Sequence, residues 1–283
     1  MQPTSFQVKD IETLHLLFRG YRPHGGLGWL FRGQSDCRWP LVPKAGRAEY
    51  FLPDIIRPDD PLRFRDLGRF GYWMKRVFPF APDMPPNDYE ALAFAQHHGL
   101  ATRLLDWSLN PLVATYFAVR EFTEVDGAVF CYRPHGYIDV KRAELPIGGS
   151  DQAMLWSRIL DSGEVDADGV NADDLQDQMK DLHGRAVVTR AFDARMLNQR
   201  GAFTVHWPPD AALEVAEISR LPGTPNLSVL IIPAALKREL RAHLDDYGFS
   251  DEFIYPDADG VANHVNWETQ EMIERKRRKS HKD

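Results

Sequence analysis

Cysteine is nearly absent from this sequence: Cys37 and Cys131 are the only two among 283 residues. Two thiols cannot build a disulfide framework or a four-cysteine zinc site. No apolar run approaches the roughly 20 residues that a membrane-spanning helix needs, and the first ten residues show no secretion signal, since no basic region is followed by an apolar one. We therefore expect a cytoplasmic protein with no membrane partner.

Excess positive charge is also missing. The net charge is −7 and the isoelectric point is about 5.8, so no global positive field attracts nucleic acid. The sequence has no G-x-G-x-x-G, P-loop, G-x-S-x-G or H-E-x-x-H motif, which are typical of dinucleotide folds, NTPases, serine hydrolases and zinc proteases. His97 and His98 are adjacent, and neighbouring side chains diverge on a helix. The sequence therefore predicts no metal site.

What the sequence does have is apolar and aromatic material for a core, with 43% hydrophobic residues and 16 phenylalanines. Asn87 is expected to cap a helix that Gly99 ends, and Pro111 to open the next helix. Strands and helices alternate irregularly, which favours one α+β domain over residues 1–270, with a mixed or antiparallel sheet flanked by helices. Residues 271–283 form a basic tail. The predicted strands of the shared sheet are 29–32, 101–105, 127–132, 201–206 and 227–232.

Two clusters of polar residues stand beside these strands. In residues 96–107, Arg103 could pair with Asp106 as a structural ion pair, or it could face a ligand. Arg32 ends an apolar strand, and a buried arginine needs an anionic or carbonyl partner. That partner could be Asp106 or a bound phosphate, and the sequence alone leaves both open.

Two further clusters lie toward the carboxyl end. Gln199 immediately precedes a predicted strand, where Gly201 lets backbone approach closely, and a plain turn is the alternative. Asp257 and Asp259 precede Gly260, and their simplest interpretation is an Asx turn that caps the following helix.

Several of these blocks together resemble the bacterial FRG-domain family, which is named for Phe31-Arg32-Gly33. Trp39-Pro40-Leu41 and the long block from Gln96 to Ala118 carry the resemblance, and the blocks 199–206 and 256–260 extend it. The similarity runs from about residue 8 to residue 266.

The order of the blocks is also similar to that of ADP-ribosyltransferases. In those enzymes a first strand ends in Arg or His plus Gly, a second strand leads into a helix, and a later strand starts with a catalytic glutamate. Arg32 and Gly33, the segment from Thr102 to Ala118, and Gln199 would be the counterparts here. Gln199 cannot carry the negative charge of glutamate, so Glu214 or Asp257 could supply that charge, or the chain could lack transferase activity.

The resemblance implies an ADP-ribosyltransferase-like fold and NAD, or another nucleotide, as the ligand. It implies a macromolecular acceptor, either protein or nucleic acid, a role as a toxin or phage-defence effector, and an antitoxin or regulatory protein as partner. The catalytic residues would be Arg32, Gln199 and His98. The residues expected to bind NAD are Arg32, Gly33, Thr102, Arg103, Asp106 and Tyr116, with Phe117 as an alternative stacking residue. Because polar groups beside apolar strands need partners, we expect five residues to line one pocket: Arg32, His98, Arg103, Asp106 and Gln199.

Two other classes of function remain open. A non-catalytic nucleotide-binding or interaction module would need the same pocket without turnover. A nuclease-like effector would use His97 or His98 together with Asp106, Asp257 and Asp259, although the sequence holds no nuclease motif.

Overall fold

The computed structural model describes residues 4–21, 28–51, 65–81, 83–143, 182–213 and 226–280. These residues form eight strands, eight helices and two short 3-10 turns, Lys44–Gly46 and Ala48–Tyr50. The strands are β1 (Thr4–Gln7), β2 (Leu30–Gln34), β3 (Leu104–Ser108), β4 (Gly127–Tyr132), β5 (Tyr137–Ile138), β6 (Ala186–Val187), β7 (Gly201–Val205) and β8 (Leu227–Ile232). The helices are α1 (Ile11–Arg19), α2 (Asp66–Val77), α3 (Asp88–His97), α4 (Pro111–Val119), α5 (Ala194–Gln199), α6 (Ala234–Asp246), α7 (Asp251–Ile254) and α8 (Ala258–Ser280).

All eight strands belong to one sheet in the order β1-β8-β4-β2-β3-β7-β6-β5. The β1–β8 and β5–β6 pairs are parallel and the others are antiparallel. The predicted mixed sheet of an α+β protein is therefore confirmed, and it contains all five predicted strands. Strands β4 and β8 have the predicted bounds, because glycine or proline closes each apolar run.

The strand predicted over residues 101–105 begins three residues later than expected. The carbonyl oxygen of Ala101 accepts a hydrogen bond from Arg69, and that of Thr102 accepts one from the backbone of Ala45. These backbone groups are bonded to α2 and a 3-10 turn, so they cannot join a strand ladder. The strand therefore occupies Leu104–Ser108, which shifts the position of every polar residue near it.

The centre of the sheet contains a seam between β2 and β3. Strands β2 and β4 stay in register over all of β2, and β3 and β7 over all of β3, but β2 and β3 share only the Phe31–Ser108 pair. Beyond that pair the two strands diverge. The sheet thus consists of two half-sheets that touch at one rung, and the gap beside that rung is available to side chains.

Three apolar cores surround the two half-sheets. On one face, Phe31, Val129 and Leu230 pack under α1, α4 and α6, while Leu104 and Phe203 of the other half pack against α2 and α3. The opposite face carries a single core that spans both halves. The seam therefore opens between α3 and α4 on the face where the two cores are separate.

Several helices begin directly after a polar residue whose side chain caps the first turn. The Oδ1 atom of Asn87 accepts the Glu90 amide at 2.8 Å, and Asn110 caps α4, in which Pro111 is the first residue. Both predicted starts are confirmed. Asp257 caps α8 through the Gly260 amide at 2.8 Å. Helix α8 continues past residue 270 and includes the basic residues up to 280. Among the described helices, none combines the length and apolarity that crossing a membrane requires.

Candidate functional site

A cavity of about 370 Å³ lies at the seam between the half-sheets. Its floor is formed by β2, β3 and the start of β7, and its walls by α3, α4, α5 and the turn after β2. We call it the seam cleft. Its volume falls within the range of small-molecule sites, roughly 300–1,000 Å³. The charged and polar residues that line it are Arg32, Lys44, Arg47, Gln96, His97, Asp106, Ser108, Arg195 and Gln199.

Arg32 lies in the seam itself, with 17% of its side chain exposed. Its Nη1 atom donates to the carbonyl oxygen of Asp106 at 2.7 Å, whereas the Asp106 carboxylate is 4.0 Å away. Burial lowers the pKa of Arg32, and the charge of Asp106 partly opposes that shift. Within the described residues, the buried Nε atom has no hydrogen-bond partner. The guanidinium therefore keeps one buried donor that no described residue satisfies.

Asp106 is the only carboxylate among the described residues that line the seam cleft. Its side chain is 65% exposed, and its Oδ1 atom accepts a hydrogen bond from Nε2 of Gln96 at 2.7 Å. The other end of the Gln96 amide accepts a hydrogen bond from the Thr102 hydroxyl. Thr102, which is buried, thus orients Gln96, and Gln96 orients the carboxylate.

Three further cations stand at the rim of the seam cleft. Lys44 and Arg47 come from the turn after β2, and Arg195 comes from α5. The Lys44 ammonium donates to the carbonyl oxygen of Gly99 at 2.9 Å, and Arg195 lies over the ring of Tyr255 at 4.8 Å. With Arg32 they surround a single carboxylate, so the local charge of the seam cleft is positive although the chain is acidic.

Gln199 ends α5 at the mouth of the seam cleft. Its backbone carbonyl accepts a hydrogen bond from Ser108 at 2.7 Å, and its side-chain amide donates to the carbonyl oxygen of Ile254 at 3.2 Å. Arg200 then adopts a left-handed conformation with φ of 47°, which turns the chain into β7. Gln199 is therefore held by β3 on one side and by α7 on the other.

Gly33 lines the seam cleft, but its lack of a side chain has a local packing cause. A Cβ atom at this position would lie 1.8 Å from the carbonyl oxygen of Ala114. Strand β2 and helix α4 can approach this closely only at a glycine. The close approach brings Val113, Ala114 and Phe117 to one wall, where the ring of Phe117 offers an apolar surface.

The expected convergence of five residues on one pocket is confirmed for Arg32, Asp106 and Gln199, and it is wrong for His98 and Arg103. His98 follows the end of α3, and its ring contacts Phe94 on the side of the helix away from the seam. It lines a separate groove with Trp73 and other apolar residues. The helical rotation of about 100° between neighbours separates it from His97.

Arg103 is 1% exposed and forms a fork with Asp66 of α2, at 2.7 and 2.8 Å. Its guanidinium also lies 4.3 Å from the Trp207 ring centre. Neither alternative for Arg103, a pair with Asp106 or contact with a ligand, is found, because β3 starts after Arg103 and leaves the arginine in the core beneath α2.

The other expected binding residues also lie away from the ligand space. Tyr116 is fully buried, and its hydroxyl donates a hydrogen bond to the carboxylate of Asp251. The residues of α4 that line the seam cleft are 113, 114 and 117, so Tyr116 lies on another side of the helix. Thr102 reaches the site only through Gln96. Asp257 is occupied as the α8 cap, and Glu214 lies outside the described residues.

The sequence did not single out the contact between His97 and Asp193. His97 lines the seam cleft, and its Nε2 atom lies 2.7 Å from Oδ2 of Asp193. The spacing of Ala93, Gln96 and His97 on one helical face would have indicated this side of α3. Lys44, Arg47 and Arg195 belong to irregular or short segments and gave no periodic signal. In the described ranges, no three or more His, Cys, Asp or Glu residues are grouped so that they could hold a metal ion.

In a comparison with known families, residues 28–127 match the model of the FRG domain. That segment runs from β2 to the start of β4 and includes Arg32, Gln96, His97 and Asp106. Helix α5 and strand β7, which complete the seam cleft, lie beyond it. No curated protein and no solved structure matches the chain.

Proposed function

We propose that the seam cleft binds NAD and that the protein is an ADP-ribosyltransferase-like enzyme. The observation that carries this proposal is the placement of Arg32. It is a buried guanidinium in a seam of the sheet, with its Nε atom unpartnered among the described residues and further cations at the rim. A planar fork in a desolvated site is well matched to a pyrophosphate.

The arrangement of strands supports the proposal. The three blocks whose order is similar to that of ADP-ribosyltransferases lie on or next to β2, β3 and β7, which are neighbours in the sheet. Arg32 lies in the first strand, Ser108 ends the second, and Gln199 lies two residues before the third. Residues far apart in the sequence therefore surround one cavity.

The negative charge that Gln199 lacks can come from Asp106. Asp106 is fixed by Gln96 and is exposed to the seam cleft, where a carboxylate can stabilise positive charge that develops on a ribose carbon. NAD, when bound, supplies the ADP-ribosyl group and nicotinamide as the leaving group. Arg32 holds the phosphates, Phe117 offers its ring to a flat group, and Gln199 forms part of the mouth.

The test is NAD binding and nicotinamide release by the wild-type protein and by Arg32→Ala. We expect NAD to raise the melting temperature of the wild type and nicotinamide to be released. Arg32→Ala should lose both effects. Arg38→Ala, which removes an exposed arginine paired with Asp36 outside the seam cleft, is the matched control. A wild type that neither binds NAD nor releases nicotinamide contradicts the proposal.

One observation favours a second candidate, a nucleotide-binding module without turnover. Gln199 stands where the transferase pattern has glutamate, and its amide is engaged with the carbonyl oxygen of Ile254. A module of this kind would show the NAD-dependent rise in melting temperature without any nicotinamide release, so the same experiment separates the two candidates.

A further inference from the structure

We infer that His97, oriented by Asp193, is the general base that activates a hydroxyl acceptor in the seam cleft. This inference rests on the proposed function and adds to it the class of acceptor, which is water or an alcohol. It arises from the His97–Asp193 pair, which the binding of NAD does not require.

The geometry of the pair fixes which nitrogen carries the proton. Asp193 caps α5 with its Oδ1 atom, which accepts the Met196 amide at 2.9 Å. Its Oδ2 atom is 2.7 Å from Nε2 of His97. A carboxylate at this distance accepts a hydrogen bond from Nε2–H, so the neutral ring carries its lone pair on Nδ1. No hydrogen bond reaches Nδ1 from the described residues.

The placement of the pair fits a base better than a structural ion pair. His97 lines the seam cleft with 17% of its side chain exposed, and Gln96, its neighbour on α3, holds Asp106. One helix end therefore carries the carboxylate contact and the base. A base oriented by a second carboxylate is the arrangement that proton transfer from a nucleophile needs.

The chemistry of the acceptor follows from the need for a base. A carboxylate acceptor is already ionised at neutral pH and needs none. A hydroxyl must lose its proton as it attacks. Its O–H proton moves to Nδ1 of His97, its oxygen forms the new bond to the ribose carbon, and the bond from that carbon to nicotinamide breaks. Nicotinamide leaves as a neutral molecule. The positive charge that its ring carried in NAD is balanced by the positive charge of the His97 imidazolium that forms.

The experiment measures the rate of nicotinamide release against pH with water or glycerol as the acceptor. The charged and titratable groups beside His97 are Asp193 and His98, which contact it, and those that line the seam cleft with it, namely Arg32, Lys44, Arg47, Asp106 and Arg195. The wild-type rate should fall on the acid side. His97→Gln should lower the rate by about 100-fold or more and remove the acid-side fall, while NAD affinity stays unchanged.

Asp193→Asn isolates the orienting role, because asparagine keeps the helix cap and removes the charge. It should lower the rate by about 10-fold while the melting temperature stays near that of the wild type. His243→Gln, which changes a surface histidine of α6, is the matched control and should behave like the wild type.

Each result decides something. If the wild type releases nicotinamide and His97→Gln keeps both the rate and the acid-side fall, the base assignment is wrong and the proposed function stands. A loss of rate in His98→Gln with none in His97→Gln has the same meaning and moves the role to His98. If the wild type releases no nicotinamide, the proposed function and the base assignment fall together.

Discussion

Arg32 donates a hydrogen bond to the backbone carbonyl of Asp106 across the seam, at 2.7 Å, rather than to its carboxylate. The side chain thus replaces a backbone rung at the point where β2 and β3 stop pairing. The Asp106 carboxylate is left exposed, with Gln96 as its hydrogen-bond partner. The main-chain carbonyl of Asp106 therefore has the structural role, while its carboxylate is the group that can act on a ligand.

The first prediction concerns Asp106→Asn. The change keeps the main-chain carbonyl and removes only an exposed charge, so the free energy of unfolding should change by less than about 0.5 kcal/mol. Nicotinamide release should fall strongly, because the seam cleft loses its only carboxylate among the described lining residues. Urea unfolding and the release assay are the measurements. A large loss of stability would show that the carboxylate is structural.

The second prediction concerns the buried pair of Arg103 and Asp66. Arg103→Met leaves the Asp66 carboxylate without its partner in the core, where Asp66 is 3% exposed. Removal of one member of a buried pair costs about 3–5 kcal/mol. Arg190→Met, which breaks a half-exposed pair with Glu90, should cost at most about 1 kcal/mol. Equal losses in urea unfolding would argue against a desolvated Arg103 pair.

The third prediction concerns pH. Burial lowers the pKa of His206 to about 3 and that of His183 to about 4, and Arg32 adds to the shift at His206. Thr204 and the Ala211 carbonyl bond the two nitrogens of His206, which suits its neutral form. The unfolded chain binds these protons near pH 6.5 and the folded chain does not. The contribution of the two neutral histidines to the free energy of unfolding is thus complete above about pH 6.5, and it is lost as the pH falls toward 4 and then 3.

The measurement is the free energy of unfolding in urea at several pH values. We expect it to decrease by about 2 kcal/mol or more between pH 7.5 and pH 4.5. His206→Gln should make that decrease smaller, whatever its effect at pH 7.5. The lowered pKa of Asp36, about 2, acts only at lower pH and does not interfere. A pH-independent free energy over this interval would contradict the neutral burial of both histidines.

The fourth prediction compares two glycines. Gly33→Ala places a Cβ atom 1.8 Å from the Ala114 carbonyl oxygen, so β2 and α4 must separate. We expect a loss of about 3 kcal/mol or more in the free energy of unfolding, at the upper end of overpacking effects. Gly201→Ala finds no atom closer than 4.0 Å and should be nearly neutral. Thermal and urea unfolding of both variants provide the comparison.

Some of this architecture could be predicted from local sequence. The bounds of β4 and β8 follow from apolar runs closed by glycine or proline, and the Asn87 cap follows from its side chain. These features depend on neighbours in the chain. The convergence of Arg32, Asp106 and Gln199 followed from the need of polar groups beside apolar strands for partners.

Other features depend on partners that lie far away in the sequence. Arg103 pairs with Asp66, 37 residues earlier, rather than with the carboxylate three residues later. The choice between His97 and His98 depends on the rotation of the last turn of α3 relative to the sheet. The seam exists because β2 and β3 pair at a single position, and no residue type predicts where the pairing of two strands stops. Local pattern therefore identified the elements, while the site's inner geometry required the fold.

Phe31 and Ser108 form the single backbone pair through which β2 joins β3, and with it one half-sheet joins the other. Continuous ladders, β2 with β4 and β3 with β7, lie on either side of the gap between Arg32 and Asp106, so a relative rotation of the half-sheets would change the width of that gap. Fewer backbone pairs join the two half-sheets at this gap than join the strands within each half-sheet. A molecule bound to β2 and β3 at the same time would link the two half-sheets, so that they unfold as one unit.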